Sequence, residues 1–172
     1  MIKKTKLKIP SVSEKTKRTI YLILDNIRSV HNVGSIFRTA ETIGVSKIYC
    51  IGTTPTPLDR FNRKRKDLAK VSLGTEDLVA WEHSNQLVAL VKRLKKEGFQ
   101  IIAVEQAANS IDYRKVKMKH KTAIIFGNEV EGVNKQLLKT CDIIAEIPLK
   151  GEKESLNVSV SAGVFLYRLF DK

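Results

Sequence analysis

Three separated stretches of the sequence hold polar side chains of the kinds that bind or orient a substrate. They are NVGSIFR with Asn32 and Arg38, FGNEVEG with Glu129, and SLNVS with Ser155 and Asn157. A guanidinium can hold an anion, a carboxylate can accept a proton, and amides and hydroxyls can donate and accept hydrogen bonds. Each stretch also has a plain structural interpretation: a helix capped by Asn32 with a surface arginine, a turn with Gly127 at positive φ, and a second helix cap.

Five short apolar runs predict the strands that must position these residues. They lie at 19–24, 47–52, 100–105, 122–127 and 142–148. Each is too short for a helix, and most lack strict alternation, which favours strands buried on both faces of a parallel sheet. Helical patterns lie between them at 32–43, 84–98 and 156–170. We therefore predict an α/β fold, with a mostly parallel sheet and helices on both faces.

Two polar segments, 53–80 and 106–121, lack a steady period and are predicted to be long loops with some local structure. Both follow predicted strands. Because ligands of open α/β sheets bind outside the carboxyl ends of the strands, these loops are placed to flank a site there.

The composition predicts one strongly basic domain. The chain has 172 residues, 31 Lys+Arg against 18 Asp+Glu, and a formal net charge of +13. Basic residues cluster in the first 18 residues, at 60–66 and at 113–121. Such clusters favour a nucleic-acid partner, although a charged surface also keeps a protein in solution. We expect a basic N-terminal tail over 1–18 and one domain over 19–172.

Several familiar chemistries are excluded by their missing motifs. Gly127 and Gly132 have the spacing of a phosphate-binding loop, but the lysine and hydroxyl residue that should follow are absent. GxGxxG, GxSxG and metal-ligand spacings do not occur, and Cys50 and Cys141 have the apolar neighbours of buried thiols. No secretory signal or membrane-spanning run is visible, so we expect a cytoplasmic protein without metal.

Together, the three polar stretches resemble the SpoU (TrmH-like) branch of the SPOUT RNA methyltransferases. N-x-G-x-x-x-R stands at Asn32, Gly34 and Arg38, FGNE-x-x-G at 126–132, and IPL-x-G-x-x-x-SLNVS at 147–159. The resemblance spans roughly residues 19–170. It implies a C-terminal trefoil knot, a homodimer, S-adenosylmethionine as methyl donor, and a ribose 2′-hydroxyl of RNA as acceptor. With only a basic tail before the domain, transfer RNA is favoured over ribosomal RNA.

The resemblance also assigns roles by position. The donor-binding residues are Glu105, Gly127, Ile147 and Leu156. The residues around the reacting hydroxyl are Arg38, Asn32, Glu129, Ser155 and Asn157. Arginine is an awkward base because its pKa exceeds about 12. We therefore expect Arg38 to grip the adjacent phosphate, to place the hydroxyl, and to stabilise charge as the proton leaves.

The basic run at 60–66 is expected to contact RNA phosphates, which position a substrate without reading its sequence. Its candidate RNA-binding residues are Arg60, Arg63, Lys64, Arg65 and Lys66. Two other functions remain open from the sequence. The first is a basic RNA-binding module without catalysis, and the second is an enzyme of the same fold that methylates a base.

Overall fold

Seven parallel strands form the centre of the structure, a computed structural model that describes residues 18–170. The strands are β1 Thr19–Asp25, β2 Lys47–Ile51, β3 Ala80–Ser84, β4 Gln100–Val104, β5 Ile111–Asp112, β6 Lys121–Phe126 and β7 Ile143–Glu146. The helices are α1 Val30–Ile43, α2 Lys66–Ser72, α3 Leu87–Lys96, α4 Lys135–Leu138 and α5 Val158–Phe170. Short 3-10 turns lie at Thr75–Asp77 and Tyr113–Lys115.

The strand order is β3-β2-β1-β6-β4-β7-β5, and every pair of neighbouring strands is parallel. The chain builds outward from β1 to β3 and then crosses to the other half of the sheet. Strand β6 later enters between β1 and β4. Because the direction in which strands are added changes between the two halves of the sheet, a crevice forms at the carboxyl ends of the central strands, where α/β sheets bind their ligands.

Helices cover both faces of the sheet, which confirms the predicted fold class. On one face, Phe37 of α1 and Phe165 of α5 are fully buried against the central strands. On the other, Leu90 and Leu94 of α3 pack against a second apolar cluster. The strands are buried on both sides, as their near-continuous apolar runs require. The trefoil knot stays a prediction from the resemblance.

Glycine at position 34 lets two helices approach closely. A Cβ there would lie 2.8 Å from Cβ of Val71 and 3.2 Å from the carbonyl oxygen of Leu68. The short helix α2 therefore packs directly on α1. This contact holds the segment that carries the basic run beside α1. Helix packing alone therefore explains why position 34 is glycine, without any role in catalysis.

The differences from the sequence prediction lie mainly in the polar segments. Segment 53–80 contains α2 and ends where the edge strand β3 begins, and segment 106–121 contains the short β5. Helix α1 begins earlier than predicted, with Ser29 rather than Asn32 as its N-cap. The basic tail lies outside the described residues except for Arg18. Within residues 18–170, no helix has the length and apolar character needed to cross a membrane.

Candidate active site

A cleft of about 320 Å³ lies at the carboxyl ends of β4, β6 and β7. Its walls come from the ends of these strands, the loops that follow them and the first turn of α5. Four predicted donor-binding residues, Glu105, Gly127, Ile147 and Leu156, and two predicted catalytic residues, Glu129 and Ser155, line it. Residues far apart in sequence thus meet in the crevice that the strand order creates.

Two glycines build the floor of the cleft by close backbone approach. A Cβ on Gly127 would lie 2.4 Å from the carbonyl carbon of Gly132 and 2.4 Å from the nitrogen of Val133. Gly132 itself has φ +66°, a conformation that side-chain-bearing residues rarely adopt. The turn expectation was therefore wrong in detail, since positive φ belongs to Gly132, whereas Gly127 is needed for close packing of the loop on itself.

Glu105 fastens this glycine loop to the end of β4. Its Oε2 accepts a hydrogen bond of 2.8 Å from the nitrogen of Val133, and its Oε1 accepts one of 2.9 Å from the nitrogen of Gln106. A Cβ on Gly132 would lie only 2.2 Å from the same Oε2. Glu105 therefore fixes the shape of the cleft, and this contact also depends on glycine at 132.

Asn128 is a site residue that the sequence analysis passed over. Its Oδ1 accepts hydrogen bonds from the nitrogens of Val130 and Glu131, at 2.8 and 3.1 Å. Its Nδ2 donates to the carbonyl oxygen of Asn26, after β1, at 2.7 Å. The side chain thus closes the loop that follows β6 and ties it to the neighbouring strand. The sequence feature that could have identified Asn128 as a site residue is its position within the FGNE motif.

A chain of hydrogen bonds joins the three polar stretches. Nδ2 of Asn157 donates to Oδ1 of Asn32 at 3.0 Å, and Nδ2 of Asn32 donates to Oε1 of Glu129 at 2.9 Å. Oε2 of Glu129 also accepts from the backbone nitrogen of Arg28 at 3.0 Å. The carboxylate therefore sits at the start of α1, where backbone N–H groups and the helix dipole favour negative charge.

This setting makes Glu129 a weak base. Partial burial alone would raise its pKa, but the hydrogen bonds from Arg28 and Asn32 outweigh it and hold the pKa of the Glu129 carboxyl below its ordinary value. A carboxylate with a lowered pKa accepts a proton less readily at neutral pH. Glu129 is better suited to orient Asn32 than to remove a proton.

Asn157 also begins the last helix. Its Oδ1 accepts hydrogen bonds from the nitrogen and the hydroxyl of Ser159, at 2.9 and 2.7 Å. This is the expected cap, and its amide nitrogen remains available for the contact with Asn32. Ser155 lines the cleft but makes no side-chain hydrogen bond within residues 18–170.

Another contact ties the segment before α5 across the cleft. Nε2 of Gln106 donates to the carbonyl oxygen of Glu154 at 3.0 Å, and both residues line the cleft. The exposed segment 150–157 is held to the end of β4 by this bond. Sequence reasoning found neither residue, because neither stands at a helix cap or in a recognised pattern.

Arg38 lies apart from the cleft within one chain. It is exposed on α1, as the helical periodicity predicted, and it is not among the lining residues. Its side chain makes no hydrogen bond or ion pair with the described part of the chain. The structure therefore links Asn32 and Asn157 to the cleft through Glu129, whereas Arg38 is not part of this network.

The basic run at 60–66 contains two kinds of residue. Arg63 pairs with Asp59 at 2.8 Å, Arg65 pairs with Asp67 at 2.7 Å, and Lys64 contacts Glu76 and Asp77. Arg60 and Lys66, by contrast, have no ion pair within residues 18–170. The paired residues shape the loop, and the other two are the stronger candidates for phosphate contacts.

The thiols have no visible role in this site. Burial raises the pKa of Cys50 to about 12 and that of Cys141 to about 11, so neither is a thiolate at neutral pH. Cys141 is less buried than predicted. Within residues 18–170 there is no group of three or more His, Cys, Asp or Glu side chains arranged to hold a metal.

The fold and the cleft define an α/β protein with a ligand site at the carboxyl edge of a parallel sheet. The sequence model of the SpoU rRNA methylase family matches residues 19–167. The chain belongs to this family. The match includes all three polar stretches and every predicted catalytic and donor-binding residue.

Individual relatives agree with this assignment. The chain is 29% identical over 167 residues to the tRNA (guanosine(18)-2′-O)-methyltransferase of Aquifex aeolicus, covering 97% of this chain and 76% of that protein. It is 33% identical over 159 residues to a Staphylococcus aureus protein assigned by name to the TrmH family of tRNA/rRNA methyltransferases, covering 92% of this chain and 61% of that protein.

Solved structures show the same fold. An AdoMet-bound rRNA methyltransferase from Sinorhizobium meliloti has a TM-score of 0.80 and 25% identity, covering 91% of this chain and 57% of that one. The TrmH/SpoU tRNA modifying enzyme of Aquifex aeolicus has a TM-score of 0.77 and 28% identity, covering 90% and 76%. The chain thus spans between about half and three quarters of these relatives.

Proposed function

We propose that this protein transfers a methyl group from S-adenosylmethionine to a ribose 2′-hydroxyl of RNA, with transfer RNA preferred over ribosomal RNA. The observation that carries the proposal is the hydrogen-bonded chain Asn157–Asn32–Glu129 at the edge of the glycine-built cleft. It brings together the same three stretches that mark the family. The A. aeolicus relative is named as a tRNA 2′-O-methyltransferase, which supports the choice of acceptor.

The cleft fits this donor better than it fits a phosphorylated nucleotide. Its lining includes five carboxylate side chains, those of Glu105, Glu129, Glu131, Glu146 and Glu154. These would repel phosphates but are compatible with a ligand that carries a sulfonium and an ammonium group. Ile147, Leu149 and Leu156 supply apolar surface for a nucleoside ring. When bound, S-adenosylmethionine supplies an electrophilic methyl group.

The chain's own residues then have distinct tasks. Gly127 keeps the glycine loop packed in the shape that forms the cleft, and Ile147 and Leu156 offer apolar surface to the donor. Asn32, Asn157 and Ser155 offer amide and hydroxyl groups to the ribose, while Glu129 fixes Asn32. Holding the acceptor oxygen in line with the methyl carbon supplies much of the rate enhancement, so these residues act chiefly by orientation.

Arg38 is proposed to bind the phosphate next to the reacting ribose. Its planar fork matches two phosphate oxygens, and its exposure leaves it available to RNA. Because Arg38 does not line the cleft of its own chain, we propose that the active protein is a homodimer. Exposed apolar residues follow one side of α5, namely Val160, Val164 and Tyr167, and this stripe is the proposed contact with a second copy.

A cytoplasmic location completes the proposal and is supported by the RNA substrates named for the relatives. The decisive experiment has two steps. Titration calorimetry with S-adenosylmethionine should show saturable binding, whereas an RNA-binding module without catalysis would show none. Incubation of the protein with radiolabelled donor and purified transfer or ribosomal RNA, followed by nucleoside digestion, should give a 2′-O-methylated nucleoside from transfer RNA. A methylated base would refute the proposed acceptor.

A further inference from the structure

The basic run at 60–66 overlaps an ordered turn, and this turn exposes an aromatic side chain to solvent. Leu58 and Lys64 form an antiparallel bridge, and the nitrogen of Asp59 donates to the carbonyl oxygen of Arg63 at 2.8 Å. Phe61 lies at the tip of this turn with 59% of its surface exposed. We refer to residues 58–64 as the basic turn.

Asp59 holds the basic turn in one shape. Its Oδ1 accepts hydrogen bonds from the nitrogens of Phe61 and Arg63, at 2.8 and 3.0 Å, and its Oδ2 accepts one from Nε of Arg63 at 2.9 Å. Asn62 has φ +58°, as suits a tight turn. Phe61 is therefore exposed on a backbone of fixed shape. A ligand that binds to its ring loses little free energy in ordering the turn.

Two guanidinium groups lie close to the Phe61 ring. The Cζ atoms of Arg60 and Arg63 are 4.7 and 4.8 Å from its centroid. Arg63 is fixed by Asp59, but Arg60 has no ion pair within residues 18–170. A flat ligand can displace Arg60 from the ring, which leaves Arg60 to pair with an anionic group of the same ligand. An aromatic face beside movable positive charge is the combination that binds unpaired nucleotides.

The space beside the ring is large enough for such a ligand. An open cavity of about 720 Å³ borders the basic turn, and Thr53, Trp81 and His83 line its other side. His83 is held by a contact of 2.9 Å between its Nε2 and the carbonyl oxygen of Gly52. The acidic cleft described above differs from this cavity, whose charged lining is mainly arginine.

The cavity and the cleft are connected through Asn26. Its Oδ1 accepts a hydrogen bond from the nitrogen of Thr53 at 3.1 Å, and its carbonyl oxygen accepts from Nδ2 of Asn128 at 2.7 Å. The basic turn follows β2, which is two strands from β6. At about 4.8 Å per strand the ends of β2 and β6 are roughly 10 Å apart, so the loops that carry the two sites begin close enough together for one RNA strand to reach both.

We propose that Phe61 is a stacking platform for an unpaired base of the RNA substrate, with Arg60 contacting an adjacent phosphate. The inference rests on the proposed function for its choice of RNA. It specifies a site for a base near the nucleotide that is methylated. The platform selects single-stranded segments, because bases inside a duplex have no free face to stack on the ring.

The test compares Phe61 variants in RNA binding without methyl donor. A fluorescent single-stranded RNA 12-mer and an RNA duplex of matched charge are titrated with wild type, Phe61→Ala, Phe61→Leu and Phe61→Tyr. Because each stacked base contributes about 1–3 kcal/mol, Phe61→Ala should weaken single-strand binding about fivefold or more. Duplex binding should stay within about twofold of wild type. The Tyr variant should retain binding, and the Leu variant should not.

The salt dependence gives an independent readout. Phe61→Ala removes no positive charge, so the slope of log affinity against log salt should not change, whereas Arg60→Ala should reduce it by about 0.7. Val88→Ala is the control, since Val88 on α3 has a similar exposure of 55% and does not line the cavity beside the basic turn. Equal losses on single strand and duplex, full binding by the Leu variant, or no loss in the Ala variant would each overturn the platform.

This assay does not depend on methyl transfer. If Phe61→Ala weakens single-strand binding while the protein proves unable to transfer methyl groups, the platform stands and the proposed function fails. If methyl transfer is observed but Phe61→Ala binds single-stranded RNA as wild type does, the function stands and the platform fails.

Discussion

Asn157 donates a hydrogen bond of 3.0 Å to Asn32 although the two residues are 125 positions apart. The bond links the cap of the last helix to the first turn of α1, and Asn32 passes the contact on to Glu129. A substrate placed beside these side chains meets amide groups whose positions are set from two ends of the chain. Orientation by such groups is the feature that the proposed methyl transfer requires.

Replacing Asn157 should separate its capping role from its link to Asn32. Asn157→Ala loses both, whereas Asn157→Ser keeps a good cap but loses the amide donor. We expect Asn157→Ala to lower the free energy of unfolding by about 1 kcal/mol and Asn157→Ser to lower it by a few tenths. Both variants should transfer methyl groups at least about tenfold more slowly. Chemical denaturation and single-turnover assays measure the two effects, and a fully active Ser variant would contradict the orienting role.

The glycine floor of the cleft should not tolerate a side chain. In Gly127→Ala, the new Cβ would lie 2.4 Å from backbone atoms of Gly132 and Val133, so the loop must move and the donor site with it. We expect binding of S-adenosylmethionine to weaken about tenfold or more in calorimetry. The matched control is Lys92→Ala, an exposed position on α3 outside the lining of the cleft. That change should leave donor binding intact.

Much of the fold was predictable because buried parallel strands read as apolar runs. The runs at 19–24, 47–52 and 100–105 lie within one residue of β1, β2 and β4 at either end. Strand β3, with sequence AWEHS, was missed because it is a partly exposed edge strand in which three consecutive polar residues follow Ala80 and Trp81, so it shows neither an apolar run nor alternation. Its pairing with β2 decides its conformation, and a single sequence does not display that pairing.

The sequence predicted most residues of the site but not the contacts among them. Asn157 was expected to cap α5 and does so. Asn32 was expected to cap α1, but Ser29 takes that place and frees Asn32 for Asn157 and Glu129. Local propensity does not decide between two good caps three residues apart. The position of Asn128 depends on Asn26, 102 residues away, which no local pattern encodes.

The Glu129 carboxylate should make stability depend on pH. Its folded-state pKa lies below the ordinary value of 4.5, so it stabilises the fold above that value, and the contribution is lost as the pH falls from 4.5 through the lower folded-state pKa. We expect Glu129→Gln to be less stable than wild type at pH 7. The difference should shrink as the pH falls toward 3. Denaturation curves over this range test the sign, and a difference that is constant with pH would contradict it.

Single-residue changes in the basic run should distinguish residues that bind RNA from residues that stabilise the loop. Arg60→Ala and Lys66→Ala each remove a charge that has no ion pair in the described part of the chain. They should weaken RNA binding and reduce its salt slope by about 0.7 each on single strands without changing the unfolding midpoint. Lys64→Ala should lower that midpoint, because it leaves Glu76 without its cation and the Glu76 side chain is only 1% exposed. Equal thermal effects in all three would contradict this division.

Arg38 should be required for transfer but not for donor binding. The side chain has no partner within residues 18–170 and does not line the cleft, so Arg38→Lys should leave folding and S-adenosylmethionine affinity unchanged. Lysine keeps the charge but loses the planar fork that fits two phosphate oxygens, and we expect turnover on RNA to fall at least about tenfold. Glu41→Gln, also exposed on α1, is the control for surface changes on this helix. A lysine variant with wild-type turnover would show that positive charge alone suffices, and a loss of donor affinity would place Arg38 in the donor site instead.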